Sequence, residues 1–439
     1  MINDRFNPKT LVALLAILVA GIGCDAPPAD QSADMSVDSS ICDADDGAIS
    51  LPDGFCAVVV ADTLGTLRHI DVRDNGDVYA IHRQLTDEGG ITALRDTDDD
   101  GKADVMSTFG DVAGTGLLIH DGYLYASTDT SVYRFMLSDE LVPANEPELV
   151  VGGFPDQGSH AAKSITIDGA GNLYVNVGGP SNACQEQART PGSPGQDPCP
   201  QLEWQASIWQ FDADTPGQTL QENGHRYATG IRNAVALEWH PLADHVYAVQ
   251  HGRDQLHALW NDRFSEEQSA ELPAEEMLLL EDGADFGWPY CYYDHIQGEK
   301  VLMPEYGGNG EEVGRCADVP DPAVAFPGHY APNDLLFYAA THFPARYRHG
   351  AFIAFHGSWN RAPLPQEGYQ VAFVPMDATG EPVGEWETFA EGFKGAEELE
   401  SPGDATYRPM GLAQAPDGTL YVTDSQQGRI WRIVHGGSM

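Results

Sequence analysis

The chain has 439 residues, enough to bury a large core, and its 67 acidic residues against 23 Lys plus Arg give a formal net charge of −44. That balance argues against nucleic acid and anionic membranes as partners, because phosphates would be repelled. It also makes any Arg in an apolar setting informative.

Arg5 and Lys9 precede the apolar run TLVALLAILVAGIG (10–23), which is too short for an ordinary spanning helix, and Cys24 follows it. Residues 1–23 therefore read as a lipoprotein-type signal peptide with Cys24 as the lipidated residue, although Gly21 stands where Leu is usual. Ordinary secretion is the alternative. Either way the protein is expected to be exported, to the periplasm or the cell envelope, and to touch a membrane only through a lipid anchor. Residues 24–49 are polar, acidic and rich in Pro and Ser, and read as a disordered tether. The folded domain is expected over 50–439. Six cysteines remain after Cys24, an even number that favours disulfides in an exported chain. Proximity pairs Cys42–Cys56, Cys184–Cys199 and Cys291–Cys316, one choice among the fifteen that six cysteines allow. The chain has no CxxC or CxxCH, so neither a zinc ribbon nor a c-type haem of its own is indicated.

A phrase of turn residues, an aliphatic, Tyr and a small or apolar residue then recurs down the chain. It appears as RDNGDVYAI (73–81), HDGYLYAS (120–127), DGAGNLYVNV (168–177), PLADHVYAV (241–249) and PDGTLYVT (416–423), with a weaker copy RHGAFIAF (348–355). Strand, Gly/Asp/Asn turn, strand is a hairpin signal. Six such hairpins with little helical periodicity predict an all-β fold, a six-bladed β-propeller with loop insertions at 180–205, 262–285 and 291–330. DTDDDGKAD (96–104) sets Asp96, Asp98, Asp100 and Asp104 at calcium-loop spacing, with Gly101 at the sixth position. Ser107 stands where the bidentate carboxylate belongs, so a weak Ca²⁺ site and a plain acidic turn are both open.

In a propeller the inner strands start, and their hairpin partners end, on one face beside the central channel. That rule gathers Arg68, Thr115, His160, Arg232, Asn233 and Arg408 at strand starts. It adds Gly252, Arg253, His356, Trp359 and Arg361 just after partner strands. Scarce cations converging on one mouth predict a site for an anionic, planar, hydrogen-bonding ligand.

The segments YATGIRNAVAL, AVQHGRDQLHALW, GADFGWPYCYYD, AFIAFHGSWNRAPLP and YRPMGLAQAPDGTLYVTDSQQGRIWRI resemble the bacterial glucose/sorbosone dehydrogenase family. These are soluble-type sugar dehydrogenases dependent on pyrroloquinoline quinone (PQQ) and Ca²⁺, and they are six-bladed propellers. The resemblance implies His160 as general base and Arg232–Asn233 as contacts to the quinone carbonyls. It also implies the main-chain carbonyls of Gly252 and Arg253 as Ca²⁺ ligands, and Arg408 as a cofactor contact. Arg68 joins these from the mouth. His356 and Arg361 stand where the family's best-known member draws a Lys from the fifth blade. Thr115 and Trp359 are the substrate candidates, and Ser159 replaces an Asp before the catalytic His. Cations suit a tricarboxylate cofactor, and neutral carbonyls leave the charge of Ca²⁺ free to polarise the quinone. The expected reaction oxidises an aldose or sugar aldehyde, of glucose or sorbosone type, to lactone or acid. Electrons pass to an external quinone or cytochrome c. A calcium-dependent lactonase-like hydrolase and a non-catalytic binding propeller are the alternatives.

Overall fold

Short apolar strands punctuated by Gly, Asp and Asn turns leave no room for long helices, and the chain folds almost wholly as antiparallel sheet. The computed structural model describes residues 41–436, where six sheets of four or five strands form the blades of a β-propeller. The innermost strands are Leu67–Val72, Leu117–His120, Ile165–Ile167, Ala236–His240, Pro332–Phe337 and Pro409–Gln414. Each pairs with the strand that carries the recurring phrase: Val78–His82, Tyr123–Ser127, Asn172–Val177, His245–Gln250, Ala351–His356 and Leu420–Asp424. All six predicted hairpins are therefore the inner pairs of the blades. Among the described residues, no helix is long and apolar enough to cross a membrane.

In three blades the Tyr of the phrase does the same job. Tyr79, Tyr125 and Tyr247 are fully or almost fully buried between blades, and their hydroxyls donate to Leu141, Ala213 and Gly380 carbonyls of the following blade at 2.8, 3.1 and 2.9 Å. Blade five has Phe352 at that position, and Tyr338 makes the corresponding bond to Gly418 at 2.6 Å. A second set of stitches lies along the channel. Asp71 accepts from Ile119 N, Thr166 from Trp239 N, and Asp334 from Leu412 N, so each odd blade binds the backbone of the next. Separate apolar clusters fill the spaces between neighbouring blades.

The ring closes through the N-terminus. Phe55–Ala61 is the outermost strand of blade six, antiparallel to Ile430–His435. Residues 42–49 are part of that blade, not of a free tether. Asp43 and Asp46 carboxylates accept from Val59 and Ala57 N–H at 2.8 and 3.0 Å, and Gly47 O accepts from the Trp431 indole at 3.0 Å. The expected signal peptide, Cys24 and the rest of the tether fall within residues 1–40, outside the described residues.

The predicted insertions need redrawing, because 262–285 and 291–330 contain two strands of blade four, Glu275–Leu280 and Val324–Phe326. Between them a small hairpin, Cys291–Asp294 with Glu299–Leu302, stands apart from the ring. The cysteines pair as expected, Cys42–Cys56, Cys184–Cys199 and Cys291–Cys316, each S–S at 2.01 Å. In the acidic loop, Asp96, Asp98 and Asp104 bring their oxygens within 4.8 Å of one another. Asp100 is not in that group and caps Lys102 N instead, at 2.8 Å.

Candidate active site

Blades three, four and five enclose a cavity of about 210 Å³ at the mouth, lined by His160, Arg232, Gly252, Asp254, Glu275 and Trp359 among others. His160 reaches it from the loop before the third inner strand. Its backbone is left-handed, φ 52°, a conformation that is unfavourable for a residue with a Cβ and that clusters at functional sites. His329 and Ala331, which also line the cavity, share this strain at φ 69° and 59°. The neighbouring glycines are required by close approach. A Cβ on Gly178 would lie 2.7 Å from Asn233 Oδ1, and one on Gly179 would lie 2.8 Å from the Trp288 ring.

His160 Nδ1 lies 2.5 Å from Gly179 O, which can only accept, so Nδ1 carries the hydrogen and Nε2 keeps its lone pair. Burial, reinforced by Arg232, lowers its pKa to about 3, so the ring is neutral across the ordinary range.

Arg232 is 3 % exposed and every donor of its guanidinium is engaged. Nε donates to Asn182 O (3.2 Å), Nη1 to Gly252 O (2.8 Å) and His251 O (3.4 Å), and Nη2 to Asn182 Oδ1 (3.1 Å) and Asp254 Oδ2 (3.3 Å). Arg232 is thus a fixed charge in the wall. Asp254 also takes Arg189 (3.0 Å) and Asn360 (3.3 Å). Burial pushes this carboxyl up, but Arg232, His329 and Arg189 outweigh it and hold it well below the usual range. Glu275 accepts from Gly252 N at 2.7 Å and Ala331 N at 3.2 Å, and burial raises it to about 7.

A family model described as TrAA12-like matches residues 49–436, nearly the whole of the described chain. The chain belongs to the TrAA12-like family. Among curated relatives, the PQQ-dependent pyranose dehydrogenase of Coprinopsis cinerea is 26 % identical over 258 residues, covering 52 % of this chain and 34 % of that protein. An uncharacterised Borreliella burgdorferi protein is 25 % identical over 279 residues, 63 % of this chain and 61 % of its own. The chain thus spans about a third and three fifths of the length of these relatives. Among solved structures, the holo PQQ domain of the Coprinopsis cinerea pyranose dehydrogenase superposes with a TM-score of 0.71 at 21 % identity, over 88 % of this chain and 97 % of that one. A calcium structure of Trichoderma reesei family AA12 gives 0.71 at 18 %, over 88 % and 97 %. The soluble aldose sugar dehydrogenase of Escherichia coli gives 0.55 at 16 %, over 87 % and 99 %. These likenesses share the propeller.

Within this TrAA12-like fold the sequence-predicted residues divide. His160, Arg232, Gly252 and Trp359 line the cavity, with Trp359 56 % exposed at its lip. Asn233 stands beside them, its Oδ1 accepting from Asn176 Nδ2 at 3.3 Å. Arg408 reaches the rim through Gly357, donating to the carbonyls of His356 and Gly357 at 2.9 Å each. His356 itself bonds Ser425 Oγ at 2.6 Å. Among the described residues the Arg68 guanidinium has one hydrogen-bond partner, Thr115 Oγ1 at 3.3 Å, and Thr115 is fully buried and does not line the cavity.

One expectation fails on geometry. Arg361 turns away from the cavity, donating to the carbonyls of Ala270, Gly328 and Pro365 (3.0, 2.9 and 3.4 Å) and to Glu271 at 2.6 Å, so its guanidinium serves this loop rather than the cavity. The expectation for Arg253 concerns its main-chain carbonyl; its side chain pairs with buried Glu305 at 2.5 Å. Asp254, Glu275 and His329 were not anticipated, since no motif marks them. The excess of acids over bases gave only a general reason to expect carboxylates opposite Arg232.

Proposed function

We propose that this chain is a PQQ- and Ca²⁺-dependent oxidoreductase that converts an aldose sugar or sugar aldehyde to its lactone or acid. The observation that carries the reading is His160. It is a neutral imidazole, fixed by Gly179 O through Nδ1, in a cavity whose wall also holds Arg232. When bound, PQQ accepts the hydride, and Ca²⁺ polarises the oxygen that receives charge.

The residues present fit both groups. Among the described residues the guanidinium groups of Arg68 and Arg408 have only neutral oxygens as hydrogen-bond partners, as suits an incoming carboxylate. Gly252 O accepts from Arg232, and a carbonyl's second lone pair remains for a cation, with Asp254 and Glu275 on the same wall. His160 Nε2 takes the proton of the sugar's C1 hydroxyl as the C1 hydride leaves. Arg232, immobilised by five hydrogen bonds, stabilises negative charge developing across the cavity without reorganising. Trp359 offers the sugar an exposed ring. The two electrons then pass to an external quinone or cytochrome, and the lipoprotein location read from residues 1–24 belongs to the same proposal.

The test is to load the purified protein with PQQ and Ca²⁺ and follow dye reduction over a panel of sugars and sugar aldehydes. Reduction that requires PQQ is expected. Lactone hydrolysis with Ca²⁺ alone, and no PQQ-dependent turnover on any sugar, would overturn the reading.

A further inference from the structure

Gly252, Arg253 and Asp254 follow the strand His245–Gln250, and the first and last of them line the cavity. The strand ladder has ended here, so the direction of each group depends on the partners it finds. Gly252 O and the Asp254 carboxylate, the oxygens this wall offers a cation, both accept from Arg232. Gly252 N donates to Glu275 at 2.7 Å. The residue between them is anchored elsewhere.

Arg253 Nη1 donates to Glu305 Oε2 at 2.5 Å, and both side chains are wholly buried. Its Nε donates to Asp254 O at 3.2 Å, so the same side chain also holds the peptide that follows it. Glu305 lies in the short 3₁₀ helix Pro304–Tyr306, just after the small hairpin, and is itself fixed. Its Oε1 accepts from the Trp260 indole at 2.9 Å, and its carbonyl accepts from Gly195 N at 3.0 Å. Gly195 lies within the loop closed by Cys184–Cys199, and Glu305 within the one closed by Cys291–Cys316. Arg253 is therefore tied to a point where two disulfide-closed insertions meet. As a source of stability the pair is poor. Taking two charges out of water is costly, and apolar side chains of similar volume commonly do as well. Arg253 Nη2 adds to the cost, being buried without a partner among the described residues. What the pair supplies is position, because a short charge-assisted bond to a fixed carboxylate leaves the segment carrying the guanidinium little freedom.

We propose that Glu305 is a positioning residue for the cation site: by holding Arg253 from behind, it fixes Gly252 O and the Asp254 carboxylate on the cavity wall without itself reaching the ion. The inference rests on the Ca²⁺ reading of the cavity. It gives the blade-four hairpin, which stands apart from the ring, a part in the site.

The experiment titrates Ca²⁺ alone, without PQQ, into the full chain by calorimetry. The reference protein is compared with Glu305→Gln and with the double variant Arg253→Met/Glu305→Gln, each well below its own melting temperature. All three carry Asp98→Asn and Asp104→Asn, which takes the acidic loop out of the measurement. The Gln side chain keeps an acceptor for the Trp260 indole. The single variant leaves the Arg253 charge buried without its partner and should melt lower; the double variant removes that charge and should melt near the reference. Loss of a support behind metal ligands weakens binding by about 10- to 100-fold, and both variants, while folded, should bind Ca²⁺ more weakly by that factor. Either variant, folded and binding Ca²⁺ as the reference does, makes Arg253–Glu305 a merely structural pair and overturns the assignment, with the Ca²⁺ reading intact. If the reference protein itself binds no Ca²⁺, that reading falls and the assignment falls with it.

Discussion

His160 concentrates the chemistry of the site in one side chain. Its strained backbone costs stability, and its bond to Gly179 O leaves a lone pair at Nε2. His160→Gln is expected to lower kcat by about 10²- to 10⁴-fold while leaving PQQ affinity nearly unchanged, checked by steady-state rates beside calorimetric titration. The pH dependence follows from its lowered pKa. A histidine that titrates at about 3 when folded and near 6.5 when unfolded is already deprotonated at pH 5, so the rate should hold from pH 7 to 5. A kcat/KM limb near 6.5 would show that some other, solvent-like group is the base. The same residue destabilises the fold in acid. Between 6.5 and about 3 the unfolded chain takes up a proton that the folded chain refuses, so its contribution to stability falls with pH through that window. Two single residues were legible from their place ahead of an inner strand: His160 and Arg232, in the loops that lead into Ile165–Ile167 and Ala236–His240, do reach the cavity. Arg361 lay in an equally suggestive phrase, but the chain has left the strand by then, and its guanidinium turns back to loop carbonyls of blade four. Asp254 was hidden for a related reason. Its role comes from Arg232, Arg189 and Asn360, brought together from two blades and the insertion of a third.

The disulfide-closed insertion between blade-three strands is the element that most directly serves the site. Cys184–Cys199 staples a segment whose Asn182 accepts two of the Arg232 donors and receives Asp254 N at 2.9 Å. Replacing both cysteines by Ala should lower unfolding free energy by about 3 kcal/mol in urea titrations. PQQ affinity should weaken with it, because Asn182 is no longer held against Arg232. Unchanged affinity in a destabilised protein would separate the loop from the site. Elements were legible to the extent that they repeat. The turn-and-strand phrase marked all six inner hairpins, and in three of them its buried Tyr meets a carbonyl of the following blade, a requirement the sequence cannot vary freely. The outer strands of blade four carry no such phrase and were taken for insertion.

At the scale of the whole molecule, stability depends on closing a ring of six blades. The closing strand is Phe55–Ala61, reinforced by Cys42–Cys56 and by Asp43 and Asp46. A chain starting at residue 62 is expected to remain unfolded by circular dichroism. One starting at residue 50 should fold and melt at lower temperature, and equal melting temperatures would show residues 42–49 to be passive. The blade number was readable from repeats, whereas the identity of the closing strand was not, because pairing between the two ends of a chain leaves no local pattern.

That closure also sets an order of assembly. Gly47 and Trp431, bonded in the finished ring, are 384 residues apart along the chain, so the first folded segment to be synthesised is among the last to find its place. Until Phe55–Ala61 arrives, blade six presents the open edge of Ile430–His435, a ready template for the same strand of another copy. Propeller closure therefore makes dilution, more than time, the condition for obtaining monomers, since an intramolecular strand competes with its exchanged twin at a rate set by protein concentration.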